Sequence, residues 1–165
     1  MLITLTGFMG SGKTTVGRIL ADALACPFLD LDELIVKKAG KPIPDIFAQD
    51  GEPAFRQLEA RLLRQTVEKY GEATAVLSLG GGAILAPASA TLVHEKTVCI
   101  YLRATLETLL ERLAGESGGR PLADSALAER LAAREPLYEK TAHVTIDTDG
   151  LSPEEVSDEI IISAL

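Results

Sequence analysis

Hydrophobic positions along the chain follow two periods. Short apolar runs stand at 2–6, 27–30, 74–79, 97–102 and 143–146. They lack strict alternation; Ala75-Val76-Leu77-Ser78-Leu79 is typical. A strand covered on both faces reads this way, because neither side meets water. Between the runs the period lengthens to that of a helix. Val16, Ile19, Leu20, Ala23 and Leu24 fall on one helical face, as do Leu106, Leu109, Leu110 and Leu113, and then Val156 and Ile160. Ser152-Pro153-Glu154-Glu155 reads as a helix start: a capping serine, a proline with φ already set, then acids at the positive end. Alternating strands and helices predict an α/β fold with a parallel sheet. No repeat, low-complexity tract or linker interrupts it, so residues 1–165 read as one domain. Two segments rich in glycine and proline, 40–53 and 115–121, read as loops.

Composition narrows the function classes. With 165 residues, a single domain buries roughly 70% of the surface its unfolded chain would expose, enough for a core without disulfides. Hydrophobic residues are 47% and charged residues 24%, the balance of an ordinary globular domain. No apolar run approaches the roughly 18 residues of a membrane helix. No basic segment precedes the first apolar run, so no secretory leader is expected and the expected compartment is the cytoplasm. A net charge of −8 argues against nucleic-acid or membrane partners, which need basic surface. An anionic ligand must then be held by a few placed cations. Cys26 and Cys99 lie in or beside apolar segments and read as small buried hydrophobes. His94 and His143 stand alone in the sequence and read as surface or structural residues.

The first apolar run breaks into Gly7-Phe8-Met9-Gly10-Ser11-Gly12-Lys13-Thr14-Thr15. Residues 7–14 fit G-x-x-x-x-G-K-[ST], with a strand before and an amphipathic helix after. Glycines let the backbone curl until successive N–H groups point at phosphate oxygens, and the helix start adds partial positive charge. Lys13 would reach the terminal phosphates, and the Thr14 hydroxyl is placed to ligate Mg²⁺. Gly10, Ser11, Gly12, Lys13, Thr14 and Thr15 are the expected triphosphate contacts. The motif specifies a nucleoside triphosphate with magnesium and leaves the acceptor open.

Further along, each candidate has a functional and a structural reading. Asp30 and Asp32, at the end of the second strand, fall on one side of an extended segment by alternation. There one carboxylate would serve the magnesium shell and the other an acceptor hydroxyl; alternatively Asp32 caps the helix over 33–39. Gly80-Gly81-Gly82 closes the third strand, either as a flexible turn or as a place where a small substrate approaches the backbone. Arg56 lies on an amphipathic helix and either binds an anion or pairs with Glu52 or Glu59 at the surface; Arg134 poses the same choice. Arg120, after Gly118-Gly119 and before Pro121, suits a lid that brings a guanidinium to a transferring phosphoryl group. Arg112 either stacks on an adenine ring or is a solvated helix charge.

Taken together, "GFMGSGKTTVG", "FLDLDELI", "IPDIFAQDGEPAFRQLE", "LSLGGGAIL", "GGRPL", "REPLY" and "VTIDT" resemble, in order and over essentially the whole chain, the shikimate kinase family. The phosphate loop is widely shared; D-x-D with F-R, G-G-G and R-x-P-L-Y is far more specific. The resemblance implies a three-layer αβα P-loop kinase fold. Its five-stranded parallel sheet has order 2-3-1-4-5, with a substrate-binding segment near 31–62 and a short lid near 112–124. It implies ATP-dependent phosphorylation of the 3-hydroxyl of shikimate, a step of chorismate and aromatic amino-acid biosynthesis. By the same resemblance Asp32, Arg56, Gly80, Gly81, Gly82 and Arg134 bind shikimate, and Asp32 orients or deprotonates the 3-hydroxyl. Asp30 holds Mg²⁺ through water, Arg120 is the lid arginine, and Arg112 stacks on adenine. Lys13, Asp32 and Arg120 are the implied catalytic residues. The stretch "TDGLSPEE" after Asp147 is acidic where several relatives carry basic residues, and the lid is short.

Two other readings frame the expectation. A gluconate- or nucleotide-kinase-like enzyme of the same fold would lack the F-R, G-G-G and R-x-P-L-Y set. A non-catalytic ATP-binding regulatory module would have no need of Lys13, Thr14, Asp30, Asp32 and Arg120 together. A GTPase is disfavoured because no N-K-x-D base-reading motif occurs. No apolar stripe is left over once the sheet is covered, so a monomer is expected.

Overall fold

The computed structural model describes residues 1–116 and 124–165. The strands are β1 (Leu2–Thr6), β2 (Phe28–Asp30), β3 (Ala75–Ser78), β4 (Val98–Arg103) and β5 (Val144–Asp147). The helices are α1 (Lys13–Ala23), α2 (Leu31–Ala39), α3 (Ile43–Asp50), α4 (Glu52–Lys69), α5 (Pro87–Lys96), α6 (Leu106–Glu116), α7 (Asp124–Thr141) and α8 (Pro153–Ala164). The strands form one parallel sheet in the order β2-β3-β1-β4-β5. Its register sets Leu2 opposite Ala75, Thr4 opposite Cys99, Phe28 opposite Val76 and Ile100 opposite Val144.

The side-chain period of two divides the core into two layers. Leu2, Leu77, Cys99 and Tyr101 point to one face, where they meet Leu63 of α4, Val93 of α5, Leu109 of α6 and Tyr138 of α7. Ile3, Leu5, Val76, Ile100 and Leu102 point to the other, against Val16 and Leu20 of α1 and Val156 and Ile160 of α8. This is the expected three-layer arrangement. β1 runs on into α1 on one face, whereas β3 runs on through a turn to α5 on the other. The carboxyl ends of these neighbouring strands therefore open a crevice between them, the place where open α/β sheets bind ligands.

Two local expectations change. Segment 40–53 is not a loop: α3 occupies residues 43–50 of it, with Pro44 in its first turn. Gly40 ends α2, and Gly51 ends α3 and begins α4. The glycines and prolines mark helix boundaries. Of the second expected loop, residues 115–116 complete α6; its remainder, including Arg120, lies outside the described residues, as does most of the expected lid. Cys99 is buried and Cys26 half-buried, and both are free thiols. Burial pushes the Cys99 thiol up to about 12. His94 and His143 are not isolated: their rings stack 4.6 Å apart, and His143 Nδ1 accepts from the Cys99 amide. The Ser152 cap forms as expected, with Ser152 Oγ accepting from the Glu155 amide and Glu155 Oε1 accepting from the Ser152 amide, each at 3.1 Å.

Candidate active site

The phosphate loop bridges β1 and α1. Gly12 is the N-cap of α1 at φ +91°, a left-handed conformation that a side chain would strain, and it offers no capping group. The first amides of α1 thus open onto the crevice with their partial positive charge uncompensated by a protein cap. Lys13 folds back over the loop, Nζ donating to Gly7 O at 2.8 Å and Phe8 O at 3.0 Å. Burial lowers its pKa from 10.5 to about 8, although Asp32 and Asp30 pull it back up.

Asp30 joins the loop to the second strand. Its Oδ2 accepts from Thr14 Oγ1 at 3.1 Å, while Oδ1 accepts from the amides of Asp32 (2.9 Å) and Glu33 (3.4 Å). Asp30, not Asp32, is therefore the cap of α2. Asp32 does not share an extended segment with Asp30: β2 ends at Asp30 and the helix starts at Leu31, so Asp32 sits in the first helical turn. Both carboxylates nonetheless line the same cavity of about 240 Å³, together with Gly10, Gly12, Lys13, Thr14, Gly80 and Gly81. Burial raises the Asp32 pKa and the nearby Asp30 carboxylate raises it further, with Lys13 and Arg56 opposing.

The three glycines after β3 each face a different functional group. A Cβ on Gly80 would stand 2.9 Å from Asp32 Oδ1, and one on Gly82 would stand 2.6 Å from Arg56 Nη1. On Gly81 it would meet Arg134 Nη1 at 3.6 Å and Tyr138 Oη at 3.7 Å. The turn is therefore a seat, with side chains from α2, α4 and α7 drawn onto bare backbone. Arg56 does make the ion pairs its sequence suggests, to Glu59 at 2.9 Å and Glu52 at 3.7 Å. The Glu59 partner is only 4% exposed, so the pair is not a surface ornament but orients the guanidinium toward Gly82. Burial raises the Glu59 pKa, with its hydrogen bond from Arg56 opposing. Arg134 lies over the Phe8 ring, 5.7 Å from its centroid.

Beyond the loop, a cavity of about 330 Å³ is lined by Gly10, Gly12, Thr15, Arg112, Thr148 and Leu151, among others. Arg112 Nη1 donates to Gly10 O at 3.2 Å and to Thr148 Oγ1 at 3.3 Å, which ties α6 to the loop. Three acids of segment 147–155 are engaged. Asp147 receives a two-pronged contact from Arg103, Nε to Oδ1 at 2.6 Å and Nη2 to Oδ2 at 3.0 Å. Asp149 accepts from the Thr105 amide at 3.2 Å, and Glu155 is in the α8 capping box. A larger cavity, about 530 Å³, opens between α5 and α7 around Ala90, His94 and Leu137. It has no glycine loop, so size does not locate the chemistry. Sequence reasoning missed the burial of Glu59, the Phe8 platform and the inward Tyr138 hydroxyl; the last stands one helical turn after Arg134, a spacing that pairs side chains on one face.

Amide dipoles and an ammonium converge on one end of the crevice, and carboxylates with guanidinium groups converge on the other. That division suits one class: P-loop kinases that phosphorylate a small molecule. The family model for shikimate kinase matches residues 9–164, and the chain belongs to that family. It is 43% identical over 164 residues to the shikimate kinase of Enterococcus faecalis, covering 96% of this chain and 95% of that one. Shikimate kinase from Acinetobacter baumannii, solved in complex with shikimate, superimposes with a TM-score of 0.87 at 36% identity, covering 97% of this chain and 90% of that one. The enzyme of Aquifex aeolicus gives 0.85 at 35% identity, over 99% and 95% of the two chains.

Proposed function

We propose that the protein transfers the terminal phosphoryl group of ATP to the 3-hydroxyl of shikimate, giving ADP and shikimate 3-phosphate. One observation carries the reading. The glycine turn seats Asp32, Arg56 and Arg134 together at the edge of the phosphate loop. Two planar guanidinium forks suit a carboxylate, and a carboxylate of raised pKa suits an alcohol that must lose a proton.

The roles follow from position. Arg56 and Arg134 grip the substrate carboxylate and so fix the ring. Gly80, Gly81 and Gly82 let the ring lie against backbone. Asp32 holds the 3-hydroxyl and takes its proton as the oxygen attacks. One O–P bond forms to that oxygen, and the bond from the terminal phosphorus to the bridging oxygen of ADP breaks. Lys13 and the loop amides of Gly10 to Thr15 hold the phosphate charge throughout. Arg112 borders the cavity assigned to the adenine ring. Arg120, outside the described residues, is assigned by resemblance to the phosphoryl group in transfer. Thr14 Oγ1 and Asp30 Oδ2 are hard oxygens close to each other and to the loop, a donor set that fits Mg²⁺, which takes few protein ligands beside phosphates and water. Thr14 would ligate it directly and Asp30 through water; when bound it would neutralise charge on the phosphates. Among the described residues no helix is long and apolar enough to cross a membrane. The reading is of a monomeric cytoplasmic enzyme of one domain, its substrate segment near 31–62.

The test is ADP release by the purified protein with ATP and Mg²⁺, supplied in turn with shikimate, quinate and gluconate. Release that depends on shikimate supports the reading. Equal rates with all three, or none with any, overturn it.

A further inference from the structure

Tyr138 is fully buried, yet its hydroxyl is turned toward the glycine turn and donates to Gly81 O at 2.6 Å. Its ring leans on Tyr101, centroids 5.1 Å apart, deep in the core over the sheet. Burial pushes the hydroxyl above the ordinary tyrosine range, so the proton it donates stays in place. Arg134, one turn earlier on α7, has its guanidinium beside the same hydroxyl.

These contacts meet at one peptide. The Gly81 carbonyl belongs to the planar, trans Gly81–Gly82 unit, so a bond that fixes the carbonyl fixes the orientation of the whole plane. Arg56 lies against Gly82 at one end of that unit, and Arg134 lies against Gly81 at the other. A glycine run has no side chains of its own to hold its conformation. Pro136, within α7 between the two residues, denies the Ala132 carbonyl its helical partner and makes this stretch of helix intrinsically less rigid. A tether from α7 to the turn answers both weaknesses.

We infer that Tyr138 is a positioning residue for the acid-binding end of the site: its hydroxyl, anchored on the Gly81 carbonyl and beside Arg134, sets the spacing of the Arg134 and Arg56 guanidinium groups. The inference rests on the reading of those arginines as the carboxylate clamp. It does not give Tyr138 contact with substrate or a part in proton transfer.

The experiment compares the wild type with Tyr138→Phe, Arg134→Ala, the double variant, and Tyr101→Phe, which removes the hydroxyl of the neighbouring buried ring and leaves that of Tyr138. KM for shikimate, KM for ATP, kcat and thermal midpoint are measured for each. Tyr138→Phe should raise KM for shikimate roughly tenfold, the upper end of what one hydrogen bond between neutral groups contributes. KM for ATP should stay within about twofold, and the rise for the double variant should fall short of the product of the two single rises, the mark of coupled residues. Tyr101→Phe should move the midpoint without moving KM for shikimate. If Tyr138→Phe lowers the midpoint but leaves KM for shikimate unchanged, or if its effect adds fully to that of Arg134→Ala, the inference is wrong while the clamp stands. If Arg134→Ala itself leaves KM for shikimate unchanged, the clamp fails and the inference falls with it.

Discussion

Arg56 and Gly82 are pressed together so closely that a Cβ on the glycine would stand 2.6 Å from Nη1 and 2.7 Å from Nη2. The third glycine of the turn is thus the floor on which the guanidinium rests. What would collide is the far end of a flexible side chain, so the strain of a substitution is relieved by moving Arg56. Gly82→Ala should then leave the thermal midpoint nearly unchanged but raise KM for shikimate, as Arg56→Ala and Arg134→Ala should also do, with KM for ATP unaffected. Loss of one charged hydrogen bond is worth about 1.5–3 kcal/mol, so roughly a 10- to 100-fold rise is expected for each arginine variant. Gly80→Ala presses instead on Asp32 Oδ1 at 2.9 Å and should act mainly on kcat. Steady-state kinetics with each substrate varied in turn check this pattern; a rise confined to KM for ATP would show that the clamp is misassigned.

Lys13 supplies a pH dependence. Its folded pKa of about 8 lies below the ordinary 10.5 because of burial. The free enzyme therefore loses its ammonium as pH rises through about 8, and kcat/KM for ATP should fall there. Bound phosphates favour the charged form, so the corresponding limb of kcat should lie at higher pH. Stability moves the other way. Between about 8 and 10.5 the unfolded chain keeps a proton that the folded chain has lost, and stability from this group rises with pH across that window. Lys13→Met should abolish turnover and remove this rise, measured by denaturant titration at several pH values.

Asp30 has two duties on separate oxygens, one toward Thr14 and one toward the amides of α2. Asparagine is as good a helix cap as aspartate, so Asp30→Asn should keep stability and raise the Mg²⁺ concentration needed for half-maximal rate. Asp30→Ala should do both kinds of damage, costing about 1 kcal/mol of stability as well. Equal Mg²⁺ requirements in wild type and Asp30→Asn would remove Asp30 from the metal site.

The cap of α8 offers a test free of the active site. Ser152→Ala removes one half of a reciprocal pair and should cost about 1 kcal/mol with kinetics unchanged. Chemical denaturation measures it.

The strands were legible to within a residue or so because a short, unbroken apolar run between turn residues suits little besides a strand buried on both faces. The phosphate loop was legible because its glycines, lysine and threonine carry their chemistry in a fixed local order. The sheet order came from resemblance, since apolar runs say nothing about which strands are neighbours. Helix α5 was hidden by its composition: Pro87-Ala88-Ser89-Ala90 shows no apolar stripe, and Ser89 and Val93 are its buried residues. Asp30 and Asp32 were paired by strand alternation, which stops where the helix begins at Leu31. The stacked His94 and His143, and the burial of Glu59 against Arg56, are products of tertiary packing. No local pattern announces that a helix partner will face the interior.

The central claim is that two guanidinium groups hold the carboxylate of the acceptor beside the phosphate loop. Its most direct test changes the ligand and leaves the protein alone: kcat/KM for shikimate against kcat/KM for shikimate methyl ester, in which that negative charge is gone. The account predicts a loss of roughly 100-fold or more for the ester, as both guanidinium groups lose their charged partner. Comparable efficiency for the two compounds would contradict it.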